Sequence, residues 1–229
     1  MDKKYTFEDL LDIVAKLRGE GGCPWDIEQT HESIKENLIE EGYELCEAID
    51  EKSCEKMADE SGDLLLQVVF HAQIARESGE YDINDVTDAI CRKMIHRHPH
   101  VFGDVKAETS EEVLKNWNRI KRDDRGQKTI AQEMEGVSKY LPSLMRAAKI
   151  QKKAEKKGYV FNEPSVSADT VTNMIKVATS GADKDAAEIY IGKAIFELVS
   201  AARALDVDPE IALSRHIETF IREFSKFEE

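Results

Sequence analysis

An all-α fold follows from three features of the sequence. Apolar residues recur at three- and four-residue spacings along its whole length, period-two alternation rich in β-branched residues is hard to find, and capping residues stand before periodic runs. Phe7, Leu10, Leu11, Val14 and Leu17 make one face of a first helix over about 7–18. Thr6 caps it, and Gly19, Gly21 and Gly22 interrupt the pattern and end it. After a loop through Cys23, Pro24, Trp25 and Asp26, helices are expected near 30–51, 55–78, 84–96 and 110–123. The last of these opens with the capping-box pattern Thr109-x-x-Glu112. From Lys115 to Lys128 the composition turns strongly charged and reaches Gly126, which reads as a helix end running into a linker. The expected domains are therefore 1–125 and 126–229. The second carries a basic helix around 141–157, a loop through Gly158 and Pro164, and helices near 168–179, 184–205 and 208–227. Lys152, Lys153, Lys156 and Lys157 read as a solvated face.

Composition narrows the function. At 229 residues and 41% hydrophobic content the chain can bury a core without staples. Forty-six acidic residues against 32 basic ones give a formal charge of −14. That balance argues against a nucleic-acid polymer as partner, since such binders present basic faces. Small phosphates chelated by a metal remain compatible, because the metal cancels much of their charge. Cys23, Cys46, Cys54 and Cys91 form no C-x-x-C pair and read as reduced thiols. With no apolar run of 18 residues and no basic-then-apolar leader, the expectation is a cytoplasmic protein with no membrane partner.

The acidic residues carry the chemistry. On a helical wheel Ile34, Leu38, Leu45 and Ile49 form a narrow apolar stripe that should be buried, and Glu41 and Glu44 fall beside it. A glutamate there is commonly one half of a salt bridge. The next helix is apolar nearly all round through Leu64, Leu65, Leu66, Val68, Val69, Phe70 and Ile74, which predicts the most buried helix. Its polar exceptions, Glu60, Asp63, Gln67 and His71, make a single stripe at steps of three, four and four. Carboxylates facing each other from two antiparallel helices repel unless cations are present, and Lys35 and Lys56 are too few to neutralise them. A divalent metal is the simpler compensation. All-oxygen ligation points to magnesium, with manganese as substitute, and hence to hydrolysis of a phosphate ester or anhydride. A di-iron carboxylate bundle would need Glu-x-x-His pairs, whereas the spacings here are Glu41-x-x-Glu44 and Glu60-x-x-Asp63.

The pattern Glu40-Glu41-x-x-Glu44 followed by Glu60-x-x-Asp63 resembles the E-E-x-x-E … E-x-x-D signature of the MazG-like nucleoside triphosphate pyrophosphohydrolases. GGCPWDIEQTHESI at 21–34, ESGDLLLQVVFHAQIA at 60–75 and KMIHRHPHVFG at 93–103 extend the resemblance over about residues 5–122. LPSLMRAAKIQKKA at 141–154 is similar to the connecting segment of two-domain members. The resemblance implies a helical-bundle fold and hydrolysis of a nucleoside triphosphate to monophosphate and pyrophosphate, in nucleotide-pool house-cleaning or regulation. It implies Glu41, Glu44, Glu60 and Asp63 as metal ligands. Glu40, turned about 100° away, is either a proton acceptor or ligand support, or a surface residue. Lys93 and Arg97 match the basic pair that reaches substrate phosphates in the family, with His96 between them as a phosphate or packing contact. Trp117 matches a nucleotide-binding tryptophan yet suits a core equally well among Val113, Leu114 and Ile120. Trp25 carries the same ambiguity, and Asn37 is placed to touch sugar or phosphate.

Two-domain members carry a second carboxylate signature, and this chain departs from it. GKAIFELVSAARALDVDPEIAL at 192–213 resembles the buried helix of that copy, but Tyr190 and Lys193 stand where the glutamate and aspartate would be. Asn173, Met174 and Val177 stand where three glutamates would be. The second domain is expected to be a degenerate copy with a structural or regulatory role. Two readings follow: a pyrophosphohydrolase working through the first domain, or a non-catalytic nucleotide-binding module. Helices apolar on more than one side also predict a homodimer.

Overall fold

The structure is a computed structural model and describes residues 3–227. These residues form twelve helices and no strand, so the all-α expectation holds. The chain divides into two compact units, Met1–Val113 and Leu114–Glu229. The division falls within the helix Ser110–Asp124, whereas the sequence places a boundary at that helix's far end.

In the first unit, α1 (Phe7–Arg18), α2 (Pro24–Glu28), α3 (Lys35–Asp50), α4 (Cys54–Glu77), α5 (Ile83–Arg97) and α6 (Pro99–Phe102) follow in order. Thr6 caps α1 through its side chain, which accepts from the Asp9 amide, while the Asp9 carboxylate accepts from the Thr6 amide at 2.8 Å. Two short helices had no periodic signal. Both α2 and α6 begin with a proline, whose missing N–H costs nothing in a first turn. The start of α3 is later than the periodicity suggests. Thr30 and Ser33 exchange side-chain-to-amide bonds (2.9 and 3.2 Å), which satisfy the backbone locally and hold residues 31–34 as a turn.

A turn over residues 51–53 folds α4 back along α3. Lys52 takes a positive φ of 57° there, and the Ser53 hydroxyl caps α4. Val14, Ile34, Val69, Phe70 and Ile74 form the core, with Leu10, Leu11, Leu66 and Ile83 packed against it. As expected, α4 supplies most of the buried side chains. It is not covered all round, because Leu65 and Val68 stay exposed. The apolar stripe of α3 also needs correcting: Ile34 is buried, but Ile49 is exposed and Ala48 is the buried residue at that end. At the other end of the unit, the Arg18 side chain is held by Glu77 (2.7 Å to Oε2), by the carbonyls of Asp26 and Gln29, and over the Phe70 ring.

The second unit holds most of α7 (Ser110–Asp124), then α8 (Ile130–Glu135), α9 (Ser143–Glu155), α10 (Pro164–Thr179), α11 (Lys184–Ala204) and α12 (Pro209–Phe227). At the start of α7 the capping box closes one residue early. The Thr109 hydroxyl accepts from the Glu112 amide, but the Glu112 carboxylate takes the amide of Glu108. The charged run over 115–128 is, as expected, a helix end running into a short non-helical stretch at 125–129, and α8 follows, opened by a Thr129–Gln132 capping box. Pro164 begins α10 instead of lying in a loop before it. α10 and α11 pack along each other as α3 and α4 do. The fully buried Gln151 of α9 donates to the Phe196 carbonyl at 2.8 Å and accepts from Arg203.

Candidate active site

Pairing of α3 with α4 puts Glu41 opposite Glu60 and Asp63. One carboxylate oxygen from each lies within 4.8 Å of the other two, and all three residues are half-buried. Among the described residues this is the one group of three or more acidic, histidine or cysteine side chains that could close on a metal ion. Burial pushes the Glu41 carboxyl above its ordinary value, with Asp63, Glu44, Glu40 and Glu60 adding to the effect through their charge. Glu60 is pushed the same way by burial and then by Glu44, Asp59 and Asp63. Glu44, exposed one turn after Glu41, lies outside that three-residue cluster and acts on Glu60 through its charge.

Among the described residues no lysine or arginine forms an ion pair with Glu41, Glu60 or Asp63. Lys56, the lysine nearest in sequence, pairs with Glu51 at 2.7 Å instead. A set of facing carboxylates held together without a basic partner matches the donor set of a hard divalent cation. The residues present therefore fit a magnesium-class ion held by Glu41, Glu60 and Asp63, with Glu44 one turn after Glu41.

The remaining sequence candidates are spread along this unit and into the next. Glu40 is exposed beside the three, and Asn37 is half-buried one turn before Glu41. Lys93 and His96 are exposed on α5, whereas Arg97, in its last turn, is buried. Next to them His98 bonds the Met94 carbonyl at 2.7 Å. Trp25 lies on α2 with 59% of its surface exposed, so it is no core residue. Trp117 is half-buried on α7 in the second unit, one turn from the buried Ile120. In that unit Tyr190 and Lys193 of α11 face each other, the ammonium 5.4 Å from the ring centre, and form a cation–π pair.

One pair is illegible in the sequence. His71, the last member of the polar stripe on α4, meets His31 of the turn before α3, with Nδ1 atoms 2.7 Å apart. His71 has a place in the helical periodicity, but His31 lies in non-periodic sequence 40 residues away, so no spacing connects them. A cavity of about 210 Å³ between Leu11, Gln73, Arg76 and Asn84 includes no member of the carboxylate cluster.

Residues 29–102 match the model of the MazG nucleotide pyrophosphohydrolase domain. The chain is 43% identical over 223 residues to the nucleoside triphosphate pyrophosphohydrolase/pyrophosphatase MazG of Thermotoga maritima, covering 97% of this chain and 86% of that one. It is 40% identical over 225 residues to the nucleoside triphosphate pyrophosphohydrolase of Escherichia coli K12, covering 96% and 86%. The enzyme of the same name from Mycobacterium tuberculosis is 34% identical over 204 residues, covering 87% and 58%.

Proposed function

Since this chain belongs to the MazG family and is a nucleoside triphosphate pyrophosphohydrolase, we propose that its reaction runs on magnesium at one site, formed by Glu41, Glu44, Glu60 and Asp63. The observation that carries this reading is the convergence of the Glu41, Glu60 and Asp63 carboxylates within 4.8 Å, with no lysine or arginine among the described residues ion-paired to them. Water attacks the α-phosphorus, the α–β bridging oxygen leaves with pyrophosphate, and the nucleoside monophosphate remains. Magnesium, when bound, lowers the barrier by acidifying the attacking water and offsetting charge on the leaving group.

The side chains divide the rest of the work. Glu41, Glu60 and Asp63 hold the cation in fixed register, because two long helices present them. Glu44, one turn after Glu41 on α3, completes the acidic set around the cation. Glu40, exposed beside them, takes the proton released by the attacking water. Lys93, Arg97 and His96 supply positive charge and donors to the phosphates, Asn37 bonds the sugar or α-phosphate, and Trp25 contacts the nucleoside. Manganese substitutes for magnesium in the same all-oxygen set.

In this reading residues 1–125 are the catalytic domain and 126–229 a degenerate copy whose role is structural or regulatory. Lys193 in place of an acidic ligand supports that, since an ammonium repels a cation. Exposed Ile39 and Tyr43 on α3, with Leu65 and Val68 on α4, support a homodimer. No described helix is long and apolar enough to cross a membrane, which agrees with a cytoplasmic enzyme.

Pyrophosphate release from a panel of nucleoside triphosphates with magnesium tests the assignment. Activity is expected in the parent and absent in Glu44→Gln and Asp63→Asn. Full activity in either variant would overturn the single-site reading, and a monomeric mass by light scattering at low micromolar concentration would overturn the dimer.

A further inference from the structure

The His31 and His71 rings lie nearly parallel, 9° apart, with centroids 5.0 Å apart and Nδ1 atoms at 2.7 Å. That centroid distance is what two imidazole radii plus the N···N contact add up to. The rings therefore sit edge to edge in one plane, joined by an in-plane N–H···N bond, and together form a flat heteroaromatic plate. Asp63, Gln67 and His71 follow each other down one stripe of α4, so the plate lies two turns, about 12 Å along the helix axis, from the carboxylate cluster. Ribose and base attached at the α-phosphate span that interval.

We propose that the His31–His71 plate binds the nucleobase of the substrate. The inference rests on the catalytic reading above, which puts the α-phosphate at the carboxylates. Three observations favour a base over other ligands. A metal ion is excluded at Nδ1 because the two atoms point at each other and share one proton. A phosphate is disfavoured because the shared Nδ1 contact blocks a second charge, and burial, then His31, hold His71 below its ordinary value. Both rings are only half-buried, which leaves surface for a ligand that a core pair would not have. A flat heteroaromatic plate suits stacking with the π-face that every base presents.

The test uses the full chain with magnesium and two probes: an α,β-methylene nucleoside triphosphate, which cannot be cleaved, and ribose 5-triphosphate, which has no base. Calorimetry reads binding, and pyrophosphate release from ordinary substrates reads KM and kcat. His31→Ala and His71→Ala should each weaken the methylene analogue and raise KM by about five- to a hundredfold, with kcat little changed. Binding of ribose 5-triphosphate should not move. His71→Phe, which keeps an aromatic ring, should retain most of the affinity and shows that the site survives if an alanine variant fails to fold. Equal losses for both probes would overturn the proposal, as would base-dependent loss in Trp25→Ala with none in the histidine variants. Failure of the catalytic reading looks different: the parent would bind the analogue in a histidine-dependent way yet release no pyrophosphate.

Discussion

Arg18→Ala is the substitution that most directly couples the fold to the site. The Arg18 side chain is only 5% exposed, and its guanidinium donates three bonds to Glu77 (2.7, 3.0 and 3.2 Å), others to the Asp26 and Gln29 carbonyls, and lies 5.1 Å from the centre of the Phe70 ring. It thus ties the end of α1 to the end of α4 and to the segment that carries Trp25 and leads to His31. Removing one partner of a buried ion pair costs about 3–5 kcal/mol. Glu77 is 37% exposed, so water recovers part of its solvation, and the electrostatic loss falls to roughly 1–2 kcal/mol. Carbonyls left without a donor add about 1–3 kcal/mol. The expected total is about 2–5 kcal/mol, a large fraction of a typical domain stability. Urea unfolding followed by circular dichroism measures it, and a loss under 1 kcal/mol at pH 7 would refute the reasoning. The pH dependence gives a second check. Hydrogen bonding from Arg18 holds the Glu77 carboxyl below its ordinary value. The pair's contribution is therefore present above the ordinary carboxylate range and is lost as pH falls through the depressed folded value, so parent and variant should converge in acid. KM should rise in the variant at neutral pH, because the segment bearing His31 has lost its anchor.

Other outcomes follow from the same geometry. Asp63→Asn should abolish pyrophosphate release and, in EDTA, raise the melting temperature, since Glu41 loses the largest of the neighbouring charges acting on it; a lower melting temperature would contradict the repulsion argument. Chelation of the parent should remove activity, and magnesium or manganese should restore it where zinc does not. Phe70→Ala, at the centre of the first core, should cost about 3–5 kcal/mol by denaturant titration. Gln151→Leu, which removes a fully buried amide bonded to the Phe196 carbonyl and to Arg203, should cost about 1–3 kcal/mol while leaving kcat unchanged.

Long helices were legible because each carries enough turns to show its period. The first helix matches to the residue, α4 and α5 shift by one residue at each end, and α11 shifts by one at its far end. Short helices were not: α2, α6 and α8 span four to six residues, too few to display periodicity, and depend on a proline or a threonine cap to start them. The later start of α3 has a similar origin, because side-chain bonds between Thr30 and Ser33 compete with helical ones and hydropathy is blind to them. In the site, the stripe Glu60, Asp63, Gln67, His71 was readable from α4 alone, and Glu41 from the wheel of α3. Glu44 was harder to place: adjacency on the wheel put it at the core boundary, but it is exposed and stands outside the three-carboxylate cluster. His31 was invisible, since its partner is chosen by the packing of a turn against a helix.

The two long helix pairs of this chain answer a question that neither answers alone, namely whether the acidic cluster serves the fold. Along α10 and α11 the corresponding polar positions are satisfied within the protein. Lys193 pairs with the Tyr190 ring, and Glu197 accepts from Asn162 at 2.6 Å and from Ser167 at 2.8 Å. A helix pair of this kind therefore folds without facing carboxylates. Along α3 and α4 the opposite holds: Glu41 and Glu60 are pushed upward by burial and then by their acidic neighbours, and the lysine at hand is bonded to Glu51. Groups that repel each other, and that the same architecture can dispense with, are retained at a cost to stability. Such a cost is intelligible when the missing partner is a cation and a polyphosphate, and the expected gain in metal-free stability on Asp63→Asn is its direct measure.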